Sequence, residues 1–249
     1  MPGGLMPRYL LFGSVGLFAV SYFAISFTEL PGTWVGSYIS TVLIALPAFT
    51  ALWRYMGASR AALLLCALSI FGFAIEMMGT VTGFPYGAFF YGDALGPKLA
   101  GHVPYILPVS YVPFVIGAVA ACAPARAPMT RGRAVKWAAV SALLLTLFDG
   151  VLDPGAAALG FWVWAGGGAY YGVPLSNYAG WLLSGMLACG LLVFAGRWYI
   201  PPPGKLIDST LLALAFWCGI AFFTALWSPA LLGVALYLGL LVRRYTLAT

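Results

Sequence analysis

The chain has 249 residues, of which 63% are hydrophobic and only 7% are charged. Soluble globular proteins have about 25% charged residues, so this composition excludes an ordinary soluble domain and indicates an integral membrane protein. The net charge of +6 comes from basic residues that form no stripe with interleaved aromatic side chains, which argues against nucleic-acid binding. The apolar runs approach the roughly 20 residues that a transmembrane helix needs and lack the alternation of barrel strands. We therefore expect an all-α, polytopic helical bundle.

The hydropathy pattern predicts eight membrane-spanning helices in a single membrane domain that comprises residues 1–249. The predicted spans are 9–27, 35–53, 61–81, 103–122, 134–153, 178–196, 207–226 and 229–242. The last two are divided at Ser228-Pro229, and one longer helix in their place would leave seven spans. The first run is longer than the apolar core of a signal peptide, so we expect it to be retained.

The distribution of basic residues favours eight spans, because cytoplasmic loops of membrane proteins are enriched in Lys and Arg. With a cytoplasmic N-terminus, eight spans put eleven of the twelve basic residues on the cytoplasmic side and only Lys98 outside. The eleven are Arg8, Arg54, Arg60, Arg126, Arg131, Arg133, Lys136, Arg197, Lys205, Arg243 and Arg244. We therefore expect a protein of the cytoplasmic membrane with both termini in the cytoplasm.

Two long loops on the predicted outer side are rich in Gly, Pro and aromatic residues. They read TGFPYGAFFYGDALGPKLAGHVPY after the third span and PGAAALGFWVWAGGGAYYGVPLSNYAGW after the fifth. Irregular backbone at membrane depth is tolerated only where protein surrounds it or where it lines a cavity. We expect these loops to fold back between the helices and to meet over one cavity.

Three acidic residues lie within the third and fifth predicted spans, and an ionisable side chain inside a membrane is a candidate for function. Glu76 lies in the third span, and Asp149 and Asp153 project from one face of the fifth, four residues apart. Two neighbouring carboxyl groups cannot both ionise easily, so one remains protonated and can act as a general acid. Asp153 precedes Pro154, which is also typical of a helix end, so Asp149 is the better candidate.

Aromatic residues surround these acids in the sequence, and their π faces can stabilise a cation in a dry pocket. They are Phe161, Trp162, Trp164, Tyr170, Tyr171, Tyr178 and Trp181. An aromatic belt at the membrane surface explains part of the same pattern.

The absence of certain residues and motifs from the sequence restricts the reactions that the protein can catalyse. His102 is the one histidine, so the sequence cannot form a histidine-rich iron site of a membrane oxygenase. The four cysteines lie in apolar runs without metal-like spacing, and no metal site is predicted. There is no nucleotide-binding fingerprint and no serine nucleophile motif. A hydroxyl group installed by this protein should therefore come from water.

Three segments of the sequence together resemble a known family. In chain order they are EMMGTVTGFPYGAFFYGDALGPKLAGHVPYILP, FDGVLDP and FWVWAGGGAYYGVPLSNYAGW. They resemble the carotenoid hydratases of CruF type, also described as bisanhydrobacterioruberin hydratases and gamma-carotene hydroxylases. The resemblance covers roughly residues 60–200. It implies an enzyme that adds water across the terminal isopropylidene double bond of an acyclic carotenoid and produces a tertiary alcohol. Such an enzyme needs no cofactor or metal, and its substrate enters from the lipid phase.

For this reaction we assign the proton donor to Asp149 or Glu76, with Asp153 and Asn177 positioning water. The residues expected to bind the substrate are Tyr86, Trp162, Trp164, Tyr171, Asn177 and Trp181. Three alternatives stay open at this point. A carotenoid cyclase begins with the same protonation, Asp149 and Asp153 resemble half of the magnesium-diphosphate site of an intramembrane prenyltransferase, and a pigment-binding or transport protein would hold a ligand without changing it.

Overall fold

The computed structural model describes residues 6–26, 32–124, 129–196, 198 and 201–247. Within these residues the fold is a bundle of eight helices, as the sequence predicted. The helices are α1 (Arg8–Ser26), α2 (Thr33–Met56), α3 (Ala58–Thr82), α4 (Leu107–Ala121), α5 (Arg131–Ala158), α6 (Leu175–Ala195), α7 (Asp208–Phe223) and α8 (Trp227–Thr246). Residue 27 of the first predicted span and the predicted cytoplasmic Arg126 and Arg197 lie outside the described residues.

Six helical segments of the described chain are long and apolar enough to cross a membrane, so the protein is a polytopic membrane protein. They are α1, α2, α3, α5, α6, and α7 together with the 3₁₀ turn Gly204–Ile207 that precedes it. Helix α4 is apolar but has only 15 residues. Helix α8 has 20 residues and ends with Arg243 and Arg244.

Helices α4 and α7 form the centre of the bundle. Residues 112–120 of α4 are all buried, and most of α7 is buried as well. Helix α1 packs mainly on α7, α5 packs on α6, and α2 packs on α3, α4 and α7. The peripheral helices expose large apolar side chains such as Phe12, Leu43 and Leu63, which suits a surface that faces lipid.

Several helix boundaries differ from the predicted ones because short irregular segments determine where the helices begin and end. Helix α4 starts at Leu107 and not at 103, since Val103–Pro104 form strand β3 and pair with Lys98–Leu99, strand β2. Helices α2 and α3 are separated only by Gly57, whose φ of 81° allows a sharp change of direction. Both helices are therefore longer than predicted.

Helix α5 continues past Pro154 to Ala158, so Asp153 lies inside the helix and the alternative that it marks the helix end is wrong. A proline inside a helix removes one backbone hydrogen bond. Here the following turn packs tightly against α7: a Cβ atom on Gly155 would be 3.0 Å from Ile220 Cγ2. Ala156 is fully buried. This packing offsets the lost hydrogen bond, and α5 extends by about one turn beyond Asp153.

The break between α7 and α8 lies at residues 224–226, slightly before the predicted Ser228-Pro229. Ala225 has a φ of 58°, and Pro229 lies in the first turn of α8, where a proline is tolerated. The two helices are therefore separate, which excludes the seven-helix alternative for the described chain.

An ion-pair cluster joins three helices at the end of the bundle where α8 terminates. Arg244 Nε and Nη2 donate hydrogen bonds to Asp208, the first residue of α7, and the Tyr9 hydroxyl of α1 donates to the same carboxylate. The next arginine, Arg243, donates to the carbonyl oxygens of Ala121 and Ala123 at 2.7 Å each. The start of α1, the end of α4, the start of α7 and the end of α8 thus lie at one end of the bundle.

The two aromatic loops meet at the opposite end, as predicted. Strand β1, Phe89–Tyr91, pairs antiparallel with strand β4, Trp162–Trp164, and Phe89 lies opposite Trp164. Lys98 Nζ donates to the Tyr91 carbonyl at 2.7 Å and to Asp93 at 2.8 Å, which ties the β2–β3 hairpin to this sheet. The nearby ammonium group lowers the pKa of the exposed Asp93 carboxyl. We call this side of the bundle the loop end.

Candidate active site

The two aspartates of α5 and Asn177 of α6 form a buried polar cluster near the loop end. Each of the three side chains is 2% exposed. The Asn177 amide nitrogen donates one hydrogen bond to Asp149 Oδ2 at 3.0 Å and another to Asp153 Oδ2. Because one amide nitrogen bonds to both carboxyl groups, the two lie close together, and two adjacent carboxyl groups cannot both ionise easily. The sequence prediction that both acids lie on one helix face is confirmed.

The surroundings of the two carboxyl groups differ. Trp162 Nε1, on strand β4, donates to Asp153 Oδ1 at 3.0 Å, so both oxygens of Asp153 accept hydrogen bonds. Asp149 Oδ1 is buried and has no hydrogen-bond partner in the described chain. Asp153 therefore makes the contacts of a carboxylate, and Asp149 has the free oxygen that can carry a transferable proton.

Glu76 of α3 lies on the other side of the site and is 7% exposed. It accepts a hydrogen bond from the Tyr91 hydroxyl at 2.8 Å. The Tyr86 hydroxyl also lies close to it. Glu76 is near enough to interact electrostatically with Asp149 and Asp153. The fold thus brings the three predicted acids from two helices into one site.

These acids face a cavity of about 520 Å³ inside the helix bundle. Its wall passes across α4, α5 and α7 to residues of α1 and α2, and most of the wall is apolar. Helices α1 and α2 contribute the cavity-lining residues that are farthest in sequence from Asp149 and Asp153. They are Val20 and Phe23 of α1 and Ser37 and Thr41 of α2. Since α1 packs mainly on α7, this part of the cavity lies at a side of the bundle.

Aromatic side chains form the wall around the acids. Of the predicted substrate-binding residues, Tyr86, Trp162, Trp164, Asn177 and Trp181 line the cavity. Phe89 connects the rings of Tyr86 and Trp164, since its ring centroid is 6.0 Å from each, and the centroids of Tyr86 and Trp181 are 6.3 Å apart. Such π faces, held in a site from which water is largely excluded, can stabilise a nearby cation.

Tyr171 is not brought to the site with the other predicted residues. It is 41% exposed, it is absent from the cavity wall, and its hydroxyl donates to Ser228 Oγ at 3.2 Å. Its φ of 52° turns the chain at this point, so Tyr171 and Gly172 form an exposed turn between Tyr170 and Val173, which pair with each other. The position of Tyr171 on the exposed part of the loop argues against contact with a substrate in the cavity.

Sequence reasoning missed four residues that contribute to the site. Tyr91 hydrogen-bonds to Glu76, Tyr111 and Trp217 line the cavity, and Ser184 lies close to Tyr86. Ser184 follows Asn177 by two helical turns, so helical spacing alone was a signal that both lie on one face of α6. The other three belong to segments that only long-range packing brings to the acids.

The described residues contain no group of three or more His, Cys, Asp or Glu side chains arranged to hold a metal ion.

A comparison with known protein families gives a match over most of the chain. The family model described as "Carotenoid biosynthesis protein" matches residues 32–240, which includes every acid and aromatic residue of the site. The chain belongs to this family. Helix α1 precedes the matched range, although it contributes Val20 and Phe23 to the cavity wall of this carotenoid biosynthesis protein.

One curated relative is the bisanhydrobacterioruberin hydratase of Haloarcula japonica. It is 42% identical over 190 residues, and the alignment covers 73% of this chain. The chain spans 63% of the length of that relative. No solved structure is detectably similar to this member of the family.

Proposed function

We propose that this protein is a carotenoid hydratase that adds water across the terminal 1',2' double bond of an acyclic carotenoid end group and produces a tertiary alcohol. The observation that carries the proposal is the buried Asp149–Asp153 pair, bridged by Asn177, at an apolar, aromatic-lined cavity. Membership in the carotenoid biosynthesis family and the name of the relative support the substrate class. The rest of the proposal concerns how these residues perform the reaction.

Hydration of an isopropylidene group begins with proton transfer to its less substituted carbon. We assign this proton to Asp149 Oδ1, because this oxygen has no hydrogen-bond partner in the described chain. The positive charge then rests on the tertiary carbon, where the rings of Trp162, Trp164 and Trp181 can stabilise it. The oxygen of a water molecule bonds to this carbon, and the excess proton returns to the carboxylate. One water is gained in total, and no redox step is involved.

Glu76 is the rival proton donor. Its contact with Tyr91 at 2.8 Å occupies one oxygen, and it lies across the site from the aspartate pair. In the proposed reaction it holds the Tyr91 and Tyr86 hydroxyl groups in place and adds negative charge near the developing cation, which favours the transition state electrostatically.

The shape of the cavity supports entry of the substrate from the lipid phase. The cavity extends from the acids to α1 and α2, where Val20 and Phe23 are also about half exposed on the membrane-facing surface. A long apolar carotenoid can place one end at the acids while the remainder passes between these two helices into the bilayer. This arrangement requires no soluble carrier protein.

The proposed reaction needs neither molecular oxygen nor a cofactor, and this can be tested directly. Membranes that contain the protein and lycopene, incubated without oxygen in water labelled with oxygen-18, are expected to form a carotenoid heavier than lycopene by one labelled water. Mass spectrometry of the extracted pigments measures the gain, and membranes without the protein serve as the control. Label that instead arrives from molecular oxygen would contradict the hydratase proposal.

The proposal includes an orientation in which the loop end faces outward and both termini are cytoplasmic. It rests on the basic residues, since Arg243, Arg244 and the start of α1 share the end opposite the loops, while Lys98 lies at the loop end. A reporter that is active only outside the cytoplasm, fused after residue 249, is expected to stay inactive. The same reporter inserted at the exposed His102 turn should be active, and the reverse pattern would overturn the orientation.

A further inference from the structure

The Tyr86 ring is held in a narrow slot between α3 and α6. A Cβ atom on Gly79 would be 2.8 Å from Tyr86 Cδ2, and a Cβ atom on Gly180 would be 2.6 Å from Tyr86 Cδ1. Both distances are shorter than real contacts, so only glycine at these two positions leaves room for the ring. Tyr86 is 3% exposed. Its hydroxyl group is therefore held in one position by packing at both edges of the ring.

Glu76, Tyr111 and Asp149 line the cavity together with Tyr86, and Ser184 lies close to the Tyr86 hydroxyl. They come from α3, α4, α5 and α6, so the Tyr86 hydroxyl lies where four helices meet. The ring of Tyr111 packs on Trp181 with centroids 5.8 Å apart, which places it against α6 one turn from Ser184.

Several of these side chains carry buried polar atoms that have no protein partner. Within the described residues the atoms of this kind are Tyr111 Oη, Asp149 Oδ1, Trp164 Nε1, Tyr178 Oη and Ser184 Oγ. Three of them belong to this group: Tyr111 and Asp149 line the cavity with Tyr86, and Ser184 lies beside Tyr86. Ser184 is 1% exposed and Asp149 is 2% exposed. A buried polar atom left without a hydrogen bond costs free energy, so three in one place indicate a polar ligand that bonds to all of them.

We propose that Ser184, Tyr111 and the Tyr86 hydroxyl form a binding site for the water molecule that is the second substrate, adjacent to Asp149 Oδ1. A buried water usually makes two to four hydrogen bonds, and these three hydroxyl groups and Asp149 Oδ1 offer four partners. Ser184 and Tyr111 each offer a hydroxyl that can donate or accept. This assignment rests on the proposed hydratase function and adds residues that hold the nucleophile, separate from those that supply the proton.

The site accounts for the fate of the proton as well as of the oxygen. After Asp149 has protonated the alkene, its Oδ1 is a carboxylate oxygen beside the bound water. As the water oxygen bonds to the tertiary carbon, one of its protons passes to that carboxylate, and Asp149 is again ready to donate. Without a positioned water the cation has another outcome: it loses a proton from a neighbouring carbon to Asp149 and returns to an alkene.

This competition gives a test that a merely structural role would not satisfy. Membranes with lycopene are incubated in deuterium oxide, and mass spectrometry measures both hydrated product and deuterium in the recovered lycopene. Loss of the water site in Ser184→Ala or Tyr111→Phe is expected to slow hydration about tenfold, the effect of one hydrogen bond, while protonation continues. The ratio of deuterium exchange to hydration should therefore rise about tenfold in each variant.

Matched controls remove the same hydroxyl groups elsewhere. Ser141 bonds to the Trp137 carbonyl at 2.8 Å and Tyr237 bonds to Ser14 at 2.8 Å, both away from the cavity. Ser141→Ala and Tyr237→Phe should keep the wild-type ratio once protein abundance is taken into account. A parallel loss of exchange and hydration in Ser184→Ala and Tyr111→Phe, or no change in either, would overturn the water site. If the wild-type protein hydrates no carotenoid at all, it is the proposed function that fails.

Discussion

Replacing Asp149 with asparagine is expected to lower turnover by about 10²–10⁴-fold, the contribution typical of a general acid. Asparagine keeps the size of the side chain and its contact with Asn177 but has no transferable proton. The protein should still insert and fold, because Asp149 Oδ1 makes no contact that the amide would break. Product formation from lycopene, divided by the abundance of the protein in the membrane, measures the effect.

Two further variants determine whether Asp149 is the donor. Asp153→Asn should reduce turnover less, because Asp153 acts through its hydrogen bonds to Asn177 and Trp162 and through its closeness to Asp149. Glu76→Gln should also retain more activity than Asp149→Asn, since the amide oxygen can still accept from Tyr91. Near-normal turnover in Asp149→Asn together with a large loss in Glu76→Gln would transfer the role of donor to Glu76.

The second large effect concerns stability and lies at the other end of the bundle. Asp208→Asn leaves Arg244, which is 8% exposed, without its carboxylate partner. Removing one partner of a buried ion pair lowers the free energy of unfolding by about 3–5 kcal/mol. We expect a marked decrease in the apparent melting temperature of the protein in detergent. The Asp149 site should keep its activity per folded molecule, because the two clusters lie at opposite ends of the helices.

Two controls separate the buried ion pair from a general effect of the substitution. Asp93→Asn removes the same charge from the exposed pair with Lys98 and should leave the melting temperature unchanged. The double variant Asp208→Asn with Arg244→Met removes the unpaired guanidinium and should recover part of the lost stability. A double variant less stable than Asp208→Asn alone would show that the apolar part of Arg244 matters more than its charge.

Local pattern was enough to predict the class of protein and most of its helices. A helix that crosses a bilayer satisfies its own backbone hydrogen bonds and needs a long apolar run, so hydropathy alone located all eight helices. The periodicity of the helix likewise placed Asp149 and Asp153 on one face. The two Gly- and aromatic-rich loops were expected to meet over a cavity, and strands β1 and β4 pair there. These features depend on short stretches of sequence and on the membrane.

The tertiary structure alone decided which polar groups contact one another. Helix α5 continues past Pro154, where Gly155 packs against α7, and Asp153 therefore lies inside the helix. The bridge from Asn177 to both aspartates joins residues 28 and 24 positions apart in the sequence. Tyr171 lies outside the cavity although its neighbours in the loop line it, since one turn with a positive φ redirects the chain. Such contacts depend on how α3, α5 and α6 pack together, and no local pattern contains that information.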